Sequence, residues 1–164
     1  MLLEYEKLAQ LKQRAPDFTV SYRVNTFFNM EITRLRFPSE PASIDSEEIE
    51  RMVTRKLIDG VCDKLGQMLP SSINVLLMIA GWEVTQTKLL TTFNSLRQKA
   101  ESKNDAFFTR QGFQDSRDFL KNFQRLSVVF CRNEHESGYV VYVNPLARHV
   151  ISKELLYALQ KLWR

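Results

Sequence analysis

Between Ile49 and Met68, apolar residues recur every three or four positions. An α-helix has about 3.6 residues per turn, so this spacing places them on one face. Asp45 or Ser46 can cap the start of such a helix, and two glutamates follow at the positive end of its dipole. The sequence therefore predicts a long amphipathic helix that must bury one face against other elements.

The segment before this helix contains the clearest break in the chain. Residues 38–46 hold two prolines and three serines and are predicted to form a linker or long loop. Upstream of it, residues 2–14 are predicted to form a helix. Residues 18–24 and 28–37 have the alternation of β-strands and are expected to form a hairpin around Asn25.

The C-terminal half is predicted to contain mainly helices. Ile73 to Ala80 is almost wholly apolar and is expected to form a short buried helix. Further helices are predicted after Thr85, after Asp115 or Ser116, and after Ser152. Alternating strands are predicted at 127–131 and 139–143 around a polar turn.

Residues 72–143 are thus predicted to run helix, helix, helix, hairpin, which is the order of a winged-helix domain. The predicted fold class is α+β and mostly helical, with a winged-helix-like C-terminal part, an N-terminal strand pair and a long helix. The predicted divisions are an N-terminal helix and strand pair at 1–44, a connecting amphipathic helix at 45–70, and a winged-helix-like domain at 71–164.

The helix after Asp115 is predicted to carry a basic stripe. Residues four apart on a helix drift by only about 40°, so Arg117, Lys121 and Arg125 would form one ridge. The C-terminal half is also the basic half: residues 71–164 hold 13 basic and 8 acidic side chains, against 10 and 11 in residues 1–70. Such a ridge could neutralise phosphates of duplex DNA.

Other residues would extend this DNA-binding surface. Arg110 lies before the helix, Asn122 on it, and Arg132 and Tyr139 on the hairpin. Acidic residues oppose the interpretation, because Asp118 lies on the same helix and Glu134 and Glu136 lie at the tip of the wing. A basic ridge is also common on helices that merely face solvent, so a protein-contacting or structural role stays open.

The stretch LLMIAGWEVTQTKLLTTFNSL near Val75–Leu96, with SRDFLKNFQRLSVVF and YVVYV downstream, resembles the winged-helix domain at the C-terminal end of origin-recognition-complex and Cdc6-type replication initiators. The resemblance covers at most residues 72–164. It implies duplex DNA as partner, a role in DNA replication in the nucleus, contacts through Arg117, Lys121, Arg125 and Arg132, and packing on neighbouring subunits. The ATPase part of that family has no counterpart here, since the chain lacks a GxxxxGK[ST] motif.

The sequence predicts no enzyme, no cofactor and no metal site. The two histidines, His135 and His149, are not spaced to activate a nucleophile, and five glycines provide no phosphate-binding loop. Cys62 and Cys131 lack metal or redox spacing, which indicates a reducing intracellular compartment, nucleus or cytoplasm. No run is apolar enough for a transmembrane helix.

The expected function is therefore that of a non-enzymatic DNA-binding protein that uses a winged helix on duplex phosphates, alone or within a replication or chromosome-associated assembly. The alternative is a protein–protein interaction scaffold whose winged helix docks a partner subunit or a second copy. The apolar faces of the two terminal segments favour that alternative.

Overall fold

The computed structural model describes residues 2–5, 16–36, 45–135 and 137–163. Within them the protein is of the α+β class, as predicted, with five helices packed on one mixed sheet. The strands lie side by side in their order along the chain. They are β1 (Leu2–Tyr5), β2 (Phe18–Tyr22), β3 (Thr26–Leu35), β4 (Ile73–Ala80), β5 (Leu126–Asn133) and β6 (Val140–Val143).

The three central strands run parallel, and the outer ones are antiparallel to their neighbours. β3 pairs with β4 and β4 with β5 in parallel, whereas β1–β2, β2–β3 and β5–β6 are antiparallel. Parallel neighbours need a crossover, and helices supply both. The helices are α1 (Ser46–Leu65), α2 (Gln86–Glu101), α3 (Asp105–Arg110), α4 (Ser116–Phe123) and α5 (Lys153–Leu162). Among the described residues, no helix is long and apolar enough to cross a lipid bilayer.

Several of these elements match the sequence prediction. The side chains of Asp45, Thr85, Asp115 and Ser152 cap α1, α2, α4 and α5. The predicted hairpin around Asn25 is the antiparallel β2–β3 pair. Each of these predictions rested on local signals, namely a capping side chain, a helical repeat or a strand alternation.

The two faces of the sheet have separate cores. On one face, α1, α2, α3 and α4 cover alternate residues of β4 and β5, and their interior holds the stacked rings of Phe93, Phe108, Phe119 and Phe123. On the other face, Leu155 and Leu159 of α5 pack on Phe28 and Phe130. The helix after Asp115 thus buries its aromatic face against α2 and the sheet, as its amphipathic pattern predicts.

The prediction of a helix at Ile73–Ala80 was wrong, because this segment is β4, near the centre of the sheet. A strand flanked by parallel neighbours and covered on both faces is apolar on both sides, so it lacks the alternation that marks a half-exposed strand. The order in 72–143 is consequently strand, three helices and two strands. The winged-helix assignment is not confirmed, and the apolar segment that opens the stretch similar to the replication initiators is a strand.

The N-terminal prediction also changes. Leu2–Tyr5 is a strand, not the start of a helix, while the rest of the helix predicted for 2–14 lies outside the described residues, as does most of the predicted linker. The predicted boundaries at residues 44 and 70 do not separate independent units, because β3 and β4 pair along eight residues and α1 packs on the shared core. Gly60 allows α1 to lie close to β3, since a Cβ there would meet Leu35 Cδ2 at 2.6 Å.

Candidate functional site

Three charged side chains meet between the sheet and the last turn of α1, and we call them the polar cluster. The ammonium Nζ of Lys64 lies 3.0 Å from Oδ2 of Asp17 and 2.9 Å from Oε2 of Glu31. It also donates to Oε1 of Gln67 at 3.2 Å. The Glu31 side chain is 1% exposed, Lys64 16% and Asp17 36%. The cluster is therefore buried at Glu31 and open to solvent at Asp17.

The register of β2 and β3 brings the two carboxylates together. Phe18 pairs with Met30, so Asp17 lies just before β2 and beside Glu31. The backbone then fixes both groups: Ile32 N donates to Oδ2 of Asp17 at 2.7 Å, and Asp17 N donates to Oε1 of Glu31 at 3.2 Å. α1 crosses from β3 to β4 over this face and places Lys64 above the pair.

Burial and hydrogen bonding shift all three pKa values. Burial raises the pKa of Glu31, and the bond from Lys64 only partly offsets that effect. Burial also opposes ionisation of Asp17, but the bonds from the Ile32 amide and from Lys64 outweigh it and lower the pKa of Asp17. For Lys64, the two carboxylates outweigh desolvation and raise its pKa, so the ammonium stays protonated at neutral pH.

One ammonium faces two carboxylates, so the polar cluster carries a net negative charge when both acids are ionised. An internal charge that lacks full compensation is expensive, and either a proton on Glu31 or an additional cation would relieve it. A purely structural clamp between α1 and the sheet would be better served by one carboxylate. A proton on Glu31, or a second positive charge from outside the chain, would therefore balance the polar cluster.

Polar residues continue from the cluster along the same face of the sheet. Oγ1 of Thr19 donates to Asn29 at 3.1 Å, and Nδ2 of Asn29 lies 3.5 Å from Oδ1 of Asn74. Asn29 and Asn74 are 4% and 1% exposed. This polar track leads to the end of the sheet where β3, β4 and β5 begin.

That end has basic side chains but no acidic ones, and we call it the basic end. It comprises residues 22–26, 66–72, 124–126 and 144–150, which contain Arg23, Arg125 and Arg148 but no aspartate or glutamate. Hydrogen bonds join the last three of these segments: Arg148 N donates to Gln124 O at 2.8 Å, and a guanidinium nitrogen of Arg125 donates to Met68 O at 3.4 Å. Glu31 is aligned with Leu76, three positions from the first residue of β4, which is about 10 Å along a strand.

The predicted basic ridge is only partly formed. Arg117 and Lys121 are exposed on α4, but the helix ends at Phe123 and Arg125 lies beyond it, half-buried and directed at the loop after α1. Arg117 also lies near the carboxylate of Asp105, whose pKa is lowered mainly by hydrogen bonds from Ser116 and in part by that arginine. The structure thus places two of the three cations on one helix and moves the third to the basic end.

The other predicted DNA-binding residues are dispersed. Arg110 lies on α3, and Arg132 is exposed near the end of β5 that is remote from the basic end. Tyr139 packs its ring edge on Phe130 at 5.5 Å, towards the α5 side. Asn122 donates to both the backbone and the carboxylate of Asp118. At the predicted wing, Glu134 forms an ion pair with Arg34, and Glu136 lies outside the described residues.

The sequence interpretation missed Asp17, Glu31 and Lys64 because these residues are far apart along the chain. Glu31 lies 14 positions after Asp17, and Lys64 lies 33 positions after Glu31 and 47 after Asp17. A signal was nevertheless present in β3. The residues that alternate with Phe28, Met30 and Ile32 are Asn29, Glu31 and Thr33, which is a polar row in a strand that is otherwise apolar. Polar residues of one parity in a central strand indicate a polar site on that face.

The two cysteines have no role in this site. Burial raises the pKa of Cys62 and of Cys131 to about 12, so both stay as neutral thiols. Among the described residues, no group of three or more His, Cys, Asp or Glu side chains could hold a metal ion by itself. Any cation at the polar cluster would therefore complete its coordination with water or with substrate.

No protein-family model, curated protein or solved structure matches this chain significantly. The geometry of the polar cluster and of the basic end is therefore the ground for any statement about function.

Proposed function

We propose that this chain hydrolyses phosphodiester bonds in nucleic acid, with the polar cluster as its catalytic site and a divalent cation as its cofactor. The observation that carries the proposal is the uneven charge of the cluster, where one ammonium lies within 3.0 Å of two carboxylates in a site that is open at Asp17. A phosphodiester presents anionic oxygens, which both a cation and an ammonium stabilise.

The donor set suits a hard divalent cation such as Mg²⁺. Asp17, Glu31 and Gln67 offer oxygen atoms, and Mg²⁺ is commonly held by one or two carboxylates together with waters and substrate phosphate oxygens. Two carboxylates are thus sufficient for this ion, whereas zinc sites in proteins usually contain histidine or cysteine ligands. A cation bound here would supply Lewis-acid stabilisation of charge on the phosphate.

The side chains of the cluster have distinct roles in this proposal. Lys64 stays protonated, because its pKa is raised, so it acts as a fixed positive charge beside the reacting phosphate and not as a base. Glu31, whose pKa is raised by burial, is the second oxygen ligand and lies at the closed end of the site. Asp17, with a lowered pKa and the greater exposure, is the anionic ligand at the mouth of the site.

The basic end would hold the backbone of the substrate. Arg23, Arg125 and Arg148 are placed there by three different segments, and no carboxylate occurs within those segments to compete for them. Arginine binds phosphate with a planar fork of donors and is suited to this contact. The proposal keeps nucleic acid as the partner expected from the sequence, but replaces a non-enzymatic role with a catalytic one.

A cleavage assay tests this function. Wild-type protein is incubated with single- and double-stranded DNA and RNA in millimolar Mg²⁺ or Mn²⁺, and in excess chelator. We expect cleavage that requires the metal and falls by about 100-fold or more in Asp17→Asn. Asp63→Asn is the matched control, because Asp63 is an exposed aspartate on the same helix as Lys64. Absence of cleavage of every substrate by wild-type protein, or full activity in Asp17→Asn, contradicts the proposal.

Nucleic-acid binding without catalysis is a second candidate, favoured by the exposed Arg117 and Lys121 on α4. Salt titration distinguishes the two surfaces. Each lost phosphate contact flattens the log–log salt dependence of duplex binding by about 0.9. We expect the double variant Arg23→Ala/Arg148→Ala to flatten the slope of this salt dependence by about 1.8, which is twice 0.9. The double variant Arg117→Ala/Lys121→Ala should leave the slope unchanged. The reverse result would move the interface to α4, and unchanged slopes in both would exclude both surfaces.

A further inference from the structure

A groove with basic walls lies between α1 and α3, away from the polar cluster. Its volume is about 570 Å³, and its walls include Arg51 and Arg55 of α1 and Arg110 of α3. Arg55 precedes Lys64 by nine residues, which corresponds to about 13 Å along a helix. The groove is therefore a separate feature of the same helix, and none of its residues takes part in the proposed catalysis.

The three arginines are available to an incoming anion. Arg51 pairs with Glu47 at 3.3 Å and Arg55 with Asp59 at 3.9 Å, both as exposed pairs one helical turn apart. The side chains of Arg51 and Arg55 are 75% and 83% exposed. Exposed pairs of this kind contribute little to stability, so a phosphate can replace the carboxylates at little loss.

Arg110 is held in place by its own helix. Its Nε donates to the carbonyl oxygen of Ala106 at 3.2 Å. A guanidinium has five N–H donors, so this single bond orients the side chain and leaves the outer edge of the fork for a ligand. A positioned arginine on one wall and two exposed arginines on the other match the several oxygens of a phosphate group.

Besides the polar side chains of Thr54, Asp59 and Gln111, the groove lining has an apolar part. Ile58 is 9% exposed, and the half-buried Phe107 packs its ring edge-to-face on Phe108 with centroids 5.1 Å apart. The ammonium of Lys99 lies 5.2 Å from the centre of the Phe107 ring. An aromatic ring fixed in this way beside arginines offers a surface for a planar ring that carries phosphate.

We propose that the α1–α3 groove binds a nucleotide unit, with its phosphate on Arg51, Arg55 and Arg110 and its base against Phe107 and Ile58. The volume falls in the usual range of about 300–1,000 Å³ for small-ligand sites. Bidentate arginine–phosphate contacts and base–aromatic stacking are both general modes of nucleotide recognition. The inference does not rest on the catalytic function, since an inactive polar cluster would leave the groove intact.

Calorimetric titration of the full chain tests the site with four probes: AMP, ATP, a single-stranded oligonucleotide and inorganic pyrophosphate. The test variant is Arg55→Gln/Arg110→Gln, and the control is Arg132→Gln, an exposed arginine outside the groove. We expect nucleotide binding to weaken about tenfold or more in the double variant and to remain at the wild-type level in the control. Phe107→Ala should lower the affinity for AMP and ATP but leave the affinity for pyrophosphate unchanged.

The outcomes separate the sources of the nucleotide. If the double variant binds both ATP and the oligonucleotide more weakly than wild type does, the groove accepts free nucleotides as well as strands. If only its affinity for the oligonucleotide falls, the groove binds a strand. The proposal is overturned if wild type and the double variant bind the nucleotides with equal affinity. It is also overturned if Phe107→Ala lowers the affinity for pyrophosphate as much as the affinity for ATP.

Discussion

Glu31→Gln is expected to reduce metal-dependent cleavage by at least about 100-fold while leaving the free energy of unfolding at neutral pH unchanged or raised. Burial raises the pKa of Glu31, so the folded protein disfavours the ionised carboxylate. Glutamine keeps the size of the side chain and an oxygen for Lys64, which also retains Asp17 as its ionic partner. Replacement of a buried charge by a neutral group of similar shape is often neutral or stabilising.

The direction of the pKa shift of Glu31 determines how the free energy of unfolding should change with pH. A raised pKa means that the contribution of Glu31 is fully present below the pKa of an unfolded glutamate, about 4.3, and is lost as the pH rises through the folded value. Asp17 has a lowered pKa, so its contribution is lost as the pH falls below about 3.9. As the pH rises above about 4.3, wild type should therefore lose stability relative to Glu31→Gln. As the pH falls below about 3.9, both proteins should lose the contribution of Asp17 to the same extent.

Denaturant unfolding from acid to neutral pH, read beside the cleavage assay, checks both parts. Lys64→Met is the contrasting variant: it leaves two carboxylates without their ammonium and should destabilise by about 3–5 kcal/mol. A structural clamp would behave differently, because removal of either partner would then lower stability. A loss of about 3 kcal/mol in Glu31→Gln with unchanged cleavage would show that the cluster only holds α1 on the sheet.

α1, α2, α4 and α5 could be predicted because their signals are local, whereas the short α3 was not predicted. A capping side chain and an apolar repeat lie within a few residues of each other, as at Asp45 and α1. β4 could not be recognised in the same way, since its apolar run is a consequence of its neighbours, β3 and β5, and of the helices on its outer face. Once Ile73–Ala80 is taken as a helix, the mixed sheet is lost and a winged-helix order results.

The candidate site was hidden for a related reason. Its charged residues come from the start of one strand, the middle of the next and the last turn of a crossover helix. Only the register of β2 and β3 brings Asp17 beside Glu31, and only the crossover brings Lys64 above them. By contrast, the basic ridge on α4 is visible in sequence because its spacing is local, yet its third member, Arg125, lies past the end of the helix.

Asn74→Ala is expected to destabilise the protein by about 3–5 kcal/mol, because one buried side chain satisfies backbone groups of two loops. Its Nδ2 donates to the carbonyl oxygens of Leu69, Ser72 and Arg125 at 2.8, 3.0 and 2.9 Å. Its Oδ1 accepts from the Leu69 amide at 3.2 Å. Alanine cannot replace these bonds, and a buried group without a partner is costly at about 1–3 kcal/mol each.

The same variant links stability to the site. The loop tied down by Asn74 follows Lys64 and Gln67, and its Met68 carbonyl receives the guanidinium of Arg125. Hydrogen exchange at the Leu69 amide should therefore accelerate, and nucleic-acid affinity at the basic end should fall with it. Asn25→Ala, an exposed asparagine in the β2–β3 turn, serves as control and should change stability by less than about 0.5 kcal/mol. A loss below about 1 kcal/mol for Asn74→Ala would mean that water replaces the side chain and that the loop does not depend on it.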